Sequence, residues 1–279
     1  MKELMTAITL ISMFACTKNS YTIESEIFNK SDRPKFEHNT SSNFYFCKPW
    51  NYDKSFNSER DYPLVVYLHG AGSAGKINYL DYLGYDANLL FDNAQARNFQ
   101  LNYPCFVLVP QTNDSWDNDK LINLIEDFKK SHRIDLNRIY LIGYSMGGSG
   151  SYSLANAYYQ YNKHLFAGII RLAGQSQTTL EDSIVKHTSV WLHIGLKDSE
   201  LRIQVTRDAY DFLKANHLQS IETTSKVNIS PYSGTTVTLT ENGVEIAKKT
   251  EYNNVGHGIN NLPFADEYLL KWLFSQQVK

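Results

Sequence analysis

Residues 138–150 read RIYLIGYSMGGSG: a short apolar run, Ile139 to Ile142, passes directly into a serine set between glycines. The five residues Gly143, Tyr144, Ser145, Met146 and Gly147 fit the pattern G-x-S-x-G. In such an elbow the serine occupies a strained strand-to-helix turn, and small residues two positions before and after it let strand and helix approach closely. The helix formers of SYSLANAYY follow at once, so a helix over about 148–159 is expected. Its N-terminus would aim free N–H groups and a positive dipole end at the serine. Five common residues recur by chance; the strand before them and the helix after them give the pattern its weight.

A serine hydroxyl needs a base within hydrogen-bond reach, itself oriented by a carboxylate. In the order set by an elbow of this kind, an acid and then a histidine should follow Ser145, each just past a strand. Asp198 follows the apolar run VWLHIG, and His257 lies in the glycine-flanked loop NNVGHGI. Glu200, Asp182 and Glu181 are rivals for the acid, and Asp198 is preferred because it comes first after the strand. Negative charge developing on the substrate needs waiting donors, and backbone N–H groups usually supply them. Met146, next after the serine, is one candidate. The loop HGAGSAG (69–75) offers Ala71 first and Gly72 second. That loop could instead cradle phosphate, but Ile77 follows Lys76 where a P-loop requires Ser or Thr.

The remaining segments place these residues on a scaffold. LVVYLHG, CFVLVPQ, LFAGIIRLAG and VWLHIG read as buried strands, while 119–132, 203–217 and 263–277 carry helical apolar stripes and 76–99 reads as a mixed helical region. Alternating strands and helices imply a doubly wound, mostly parallel sheet with helices on both faces, whose ligand sites lie at the C-terminal strand ends. TTVTLT-E-NG-VEIAKKTEY is expected to form an extra β-hairpin before His257, either shaping the site or extending the sheet. Trp116, in the loop leaving CFVLVPQ, is expected either to offer a flat face to a sugar or aryl group or to pack the loop onto the next helix.

LVVYLHGAGSAG, CFVLVPQ with Trp116, IDLNRIYLIGYSMGGSG, HIGLKDSE and YNNVGHGI together resemble the ordered motifs of α/β-hydrolase-fold carboxylesterases. The likeness is nearest to bacterial polyhydroxybutyrate depolymerase-like and feruloyl esterase-like proteins. It implies an α/β-hydrolase domain over 43–279 and a serine hydrolase acting on carboxylic esters, of acetyl or feruloyl type on carbohydrate. Ser145, Asp198 and His257 would be its triad, Met146 with Ala71 or Gly72 its oxyanion donors, and Trp116, His69 and Tyr144 would lie beside the substrate; no cofactor or metal is implied. Lids in this fold usually follow the strand after the nucleophile helix. Here the space between Gly174 and Val190 admits one short helix, so no large cap domain is expected. A peptidase of the same fold and a non-catalytic surface binding protein are the alternatives.

Composition sets the outer bounds. The 279 residues are 42% apolar and carry a formal net charge of -2, enough for one large core and without the basic footprint of a nucleic-acid binder. A monomer is expected. Residues 1–15, with Lys2 ahead of the apolar LMTAITLISMFA, read as a signal peptide too short to span a bilayer. A small residue before Cys16 and the polar TKNS after it fit lipoprotein processing, with Cys16 lipidated and residues 16–42 a polar tether; an ordinary secretory signal is the other reading. This places the protein in the cell envelope, attached to membrane through Cys16. Cys47 and Cys105 then remain as a pair that either bridges or stays as two buried thiols.

Overall fold

The computed structural model describes residues 36–49, 52–53, 59–76, 100, 102–164 and 166–278. The signal peptide, Cys16 and, past Lys76, the mixed helical region through residue 99 lie outside the described residues.

Among the described residues ten strands form one sheet in the order β1-β2-β4-β3-β5-β6-β7-β10-β9-β8. They are β1 Phe36–Asn39, β2 Phe44–Cys47, β3 Tyr62–Leu68, β4 Phe106–Pro110, β5 Ile134–Tyr144, β6 Gly168–Leu172, β7 Ser189–Gly195, β8 Ile221–Ile229, β9 Tyr232–Glu241 and β10 Val244–Tyr252. The six central strands from β4 to β10 run parallel. The β1-β2 pair on one side and β9-β8 on the other are antiparallel, as are their joins to the centre. The central strands are buried on both faces, which is why their sequences are continuous apolar runs rather than alternating ones.

Successive residues of each strand serve opposite faces. Leu64, Val66, Leu141, Ile169 and Leu192 pack on one side with the apolar stripes of α1 Asn118–Ser131, α2 Met146–Asn162, α3 Asp182–Val185 and α4 Glu200–Asn216. Val65, Val107, Ile142, Ile170 and Trp191 pack on the other with Leu269, Trp272 and Leu273 of α5 Glu267–Ser275. At about 1.5–3 kcal/mol for each fully buried large apolar side chain, these two layers are what hold the sheet rigid beneath its strand ends. Between β6 and β7 only the single turn of helix α3 intervenes, so no cap domain stands there.

The hairpin forms with Asn242 and Gly243 both at positive φ, 51° and 80°, as a two-residue type I′ turn requires. Its second arm is more than an extension: β10 pairs in parallel with β7 and delivers the chain to the histidine loop. The first arm carries β8 at the sheet edge, a strand absent from the sequence reading. β8 is exposed along most of its length, so nothing in IETTSKVNI alternates between apolar and polar. The sheet also begins earlier than residue 43, since Phe36–Asn39 pairs with β2 as its edge partner. Cys47 and Cys105 are buried free thiols.

Candidate active site

Ser145 follows β5 directly and caps α2 at φ 55° and ψ −111°, a conformation that L residues seldom adopt. Two contacts enforce it. A Cβ on Gly143 would lie 2.1 Å from the Gly147 carbonyl oxygen, and one on Gly147 would lie 1.9 Å from the Leu68 carbonyl oxygen. Larger residues at either position would push α2 off β3 and β5. The Ser145 amide donates to Leu172 O at 2.8 Å and its carbonyl accepts from Ser149 N at 3.0 Å, so strand β6 and the first turn of α2 hold the turn from both sides.

The structure brings Ser145, His257 and Asp198 into one hydrogen-bonded chain. His257 Nε2 lies 2.8 Å from Ser145 Oγ, and His257 Nδ1 lies 2.7 Å from Asp198 Oδ2. An ionised carboxylate only accepts, so Nδ1 carries the proton and Nε2 is left to accept from the serine hydroxyl. The Asp198 side chain is 2% exposed, against 35% for His257. Its second oxygen accepts from Ser199 N at 2.7 Å and from Arg202 Nη1 at 3.2 Å. Arg202 also reaches Gln175 Oε1 at 2.8 Å, tying the acid loop to the loop after β6. Ser149 Oγ accepts there from the Gln175 and Ser176 amides, which fastens that loop to the nucleophile helix. Arg202 escaped the sequence reading because an arginine in a helix's first turn is usually a solvated surface residue. Glu200 begins α4, Asp182 begins α3 and Glu181 pairs with Gln160, so none of the rival acids occupies the position of Asp198.

The glycine-rich loop approaches the serine: a Cβ on Gly70 would lie 3.4 Å from Ser145 Cβ. Ala71 and Gly72 open a 3-10 turn, Ala71–Ser73, and are exposed. N–H groups at the start of such a turn have no acceptor within it, as is also true of Met146 at the start of α2. His69 holds the loop from within. It is 1% exposed, with Nδ1 2.8 Å from Gly70 O and Nε2 2.6 Å from Gln111 Oε1. Gln111 in turn donates to Ser73 O and Lys76 O. Burial lowers the His69 pKa, against the two oxygen neighbours that raise it. Both ring nitrogens therefore face oxygens of the chain. Tyr144 donates to His257 O at 3.1 Å and stacks on the His257 ring, bracing the base. Trp116 is half-buried, its ring 4.6 Å from that of His69 and wedged against Gly150, where a Cβ would lie 2.7 Å from the indole.

No protein-family model matches the sequence, and neither does any curated protein. Among solved structures the chain is similar to a thermostable esterase, with 23% identity over 88% of this chain and 64% of that one and a TM-score of 0.57. It is also similar to a ferulic acid esterase at 11% identity, covering 85% of this chain and 97% of that one with a TM-score of 0.55. An acetyl xylan esterase from Aspergillus awamori is 13% identical, over 85% of this chain and 98% of that one, with a TM-score of 0.55. The chain thus spans under two thirds of the thermostable esterase's length. At these identities the likeness is one of architecture: the chain has the α/β-hydrolase fold.

Proposed function

We propose that this chain is a serine hydrolase cleaving carboxylic esters, of acetyl or feruloyl type on carbohydrate. The carrying observation is the chain from Ser145 Oγ through His257 to the buried Asp198. Ser145 Oγ attacks the ester carbonyl while His257 Nε2 takes its proton, and Asp198 steadies the imidazolium that forms. The N–H groups of Met146 and Ala71 stabilise the oxyanion. His257 then returns the proton to the departing alcohol, and water brought in by the same base hydrolyses the acyl-enzyme. Among the described residues the short connection between β6 and β7 inserts no cap beside the site, which suits an ester attached to a bulky chain. Two proteins of similar fold are named as ferulic acid and acetyl xylan esterases, in keeping with that substrate class. Short nitrophenyl esters, acetylated and feruloylated oligosaccharides and peptide amides, assayed side by side, test the reading. Turnover confined to amides would overturn it.

The same reading places the enzyme in the cell envelope, held by lipid on Cys16 after removal of residues 1–15. The supporting feature is the run from Lys2 through the apolar stretch to Ala15-Cys16. Cys16→Ser should move the protein from the membrane to the soluble fraction, because the diacyl thioether and the amide-linked acyl chain would be lost together. A mature N-terminus that mass spectrometry finds unmodified and starting elsewhere would contradict this.

A further inference from the structure

A groove of about 890 Å³ opens between the β1-β2 edge of the sheet, the loop 110–117 and one face of α1. Its volume falls in the range of about 300–1,000 Å³ common for ligand sites. Ser145, Asp198 and His257 do not line it, yet one end is built from residues that hold the catalytic loop. Gln111 faces the groove and bonds His69, Ser73 and Lys76, while Thr112 O accepts from Gly75 N at 2.9 Å. Trp116, also in the lining, packs on His69 and on the nucleophile helix. The groove therefore starts where the loop beside Ser145 ends.

Its chemistry is selective. Asn39, Asn43, Asn113 and Asn123 line it, and among the described residues their side-chain amide nitrogens donate to no atom of the chain. Half-buried Phe46 and Trp116 supply aromatic surface. Among the described residues the one lysine in the lining, Lys120, pairs with Asp117 at 3.4 Å, and Asp127 pairs with Lys130 at 3.0 Å, so Asp114 is left to give the lining a net negative charge. Like charge disfavours a polyanion, and a lipid chain would strip water from four amides without replacing their hydrogen bonds. Neutral hydroxyls alternating with apolar ring faces satisfy both amides and aromatics.

We infer that this groove binds the neutral oligosaccharide chain bearing the ester, leading it away from Ser145 past Trp116 and between Asn43 and Asn123. The inference rests on the esterase reading for the ester, but the groove's ligand can be tested without one. Calorimetric titration of the full chain with unesterified xylohexaose, cellohexaose and mannohexaose should show binding of at least one. Asn123→Trp, which plugs the groove from an exposed helix position, should weaken that binding about tenfold or more, and Asn43→Ala should weaken it several-fold. Thermal melts confirm that both variants fold. Binding of none of the three, binding indifferent to both variants, or preferential binding of polygalacturonate or free ferulic acid would overturn the inference. Turnover of p-nitrophenyl acetate by the wild type reads the serine site separately. Sugar binding without that turnover supports the groove and sinks the esterase reading; turnover without sugar binding does the reverse.

Discussion

Deleting the Ser145 hydroxyl should separate catalysis from folding, since the group is partly exposed and its backbone is fixed by other residues. Ser145→Ala is expected to lose turnover on the order of 10⁶ if the three groups act as a unit. Asp198→Asn should cost roughly 10⁴ by favouring the wrong tautomer of His257. A comparable loss from Glu200→Gln with Asp198→Asn harmless would transfer the role. Arg202 acts through Asp198, so Arg202→Ala should lower kcat about tenfold with KM little changed, because Ser199 N still holds the same carboxylate oxygen. Restoration by Arg202→Lys of much of that loss would fit a charge contact. A changed KM alone would point to substrate binding instead.

At the scale of the elements, the strand-turn-helix around Ser145 stores strain of about 1–3 kcal/mol. Ser145→Gly should therefore be more stable than Ser145→Ala, and melt higher, the difference in unfolding free energy being about 1 kcal/mol after the extra chain entropy of glycine is allowed for. A lower-melting glycine variant would mean that the turn is relaxed. Gly147→Ala should cost on the order of 3 kcal/mol or prevent folding, since its Cβ would overlap the Leu68 carbonyl. The elbow, the parallel strands and the triad were legible because each has a local cause: glycines where backbones touch, apolar runs where a strand is covered twice, and an acid and a base just past strand ends. β8 and β1 were not, because exposed edge strands such as IETTSKVNI and FEHN owe their pairing to neighbours and not to their own pattern. The hairpin was legible from Asn242-Gly243, but its role as the arm carrying the chain to His257 depends on pairing with β7, which no local signal encodes.

Across the whole molecule, the double layer around the sheet buries imidazoles as well as hydrocarbons. Burial pushes the pKa of His193 down to about 3 and that of His164 down to about 4, while an unfolded histidine titrates near 6.5. Between those values the unfolded chain binds more protons than the folded one, so stability is full above about pH 6.5 and falls as pH drops toward 3. His193 contributes on the order of 1.4 kcal/mol per unit over that window. His193→Gln, which can keep a bond to Tyr252 OH, should therefore lose less stability than the wild type between pH 7 and pH 4 in urea unfolding. Equal losses would mean that His193 does not govern the acid limb. The same rigid sheet sets Ser145, His257 and Asp198 at bonding distance from three separate strand ends, and the proposed esterase chemistry depends on that convergence. It is tested most directly by intact-mass measurement after exposure to a fluorophosphonate. One adduct per chain, located on Ser145 and lost in both Ser145→Ala and His257→Ala, is the predicted result. An unlabelled wild type, or labelling that persists in Ser145→Ala, would contradict it.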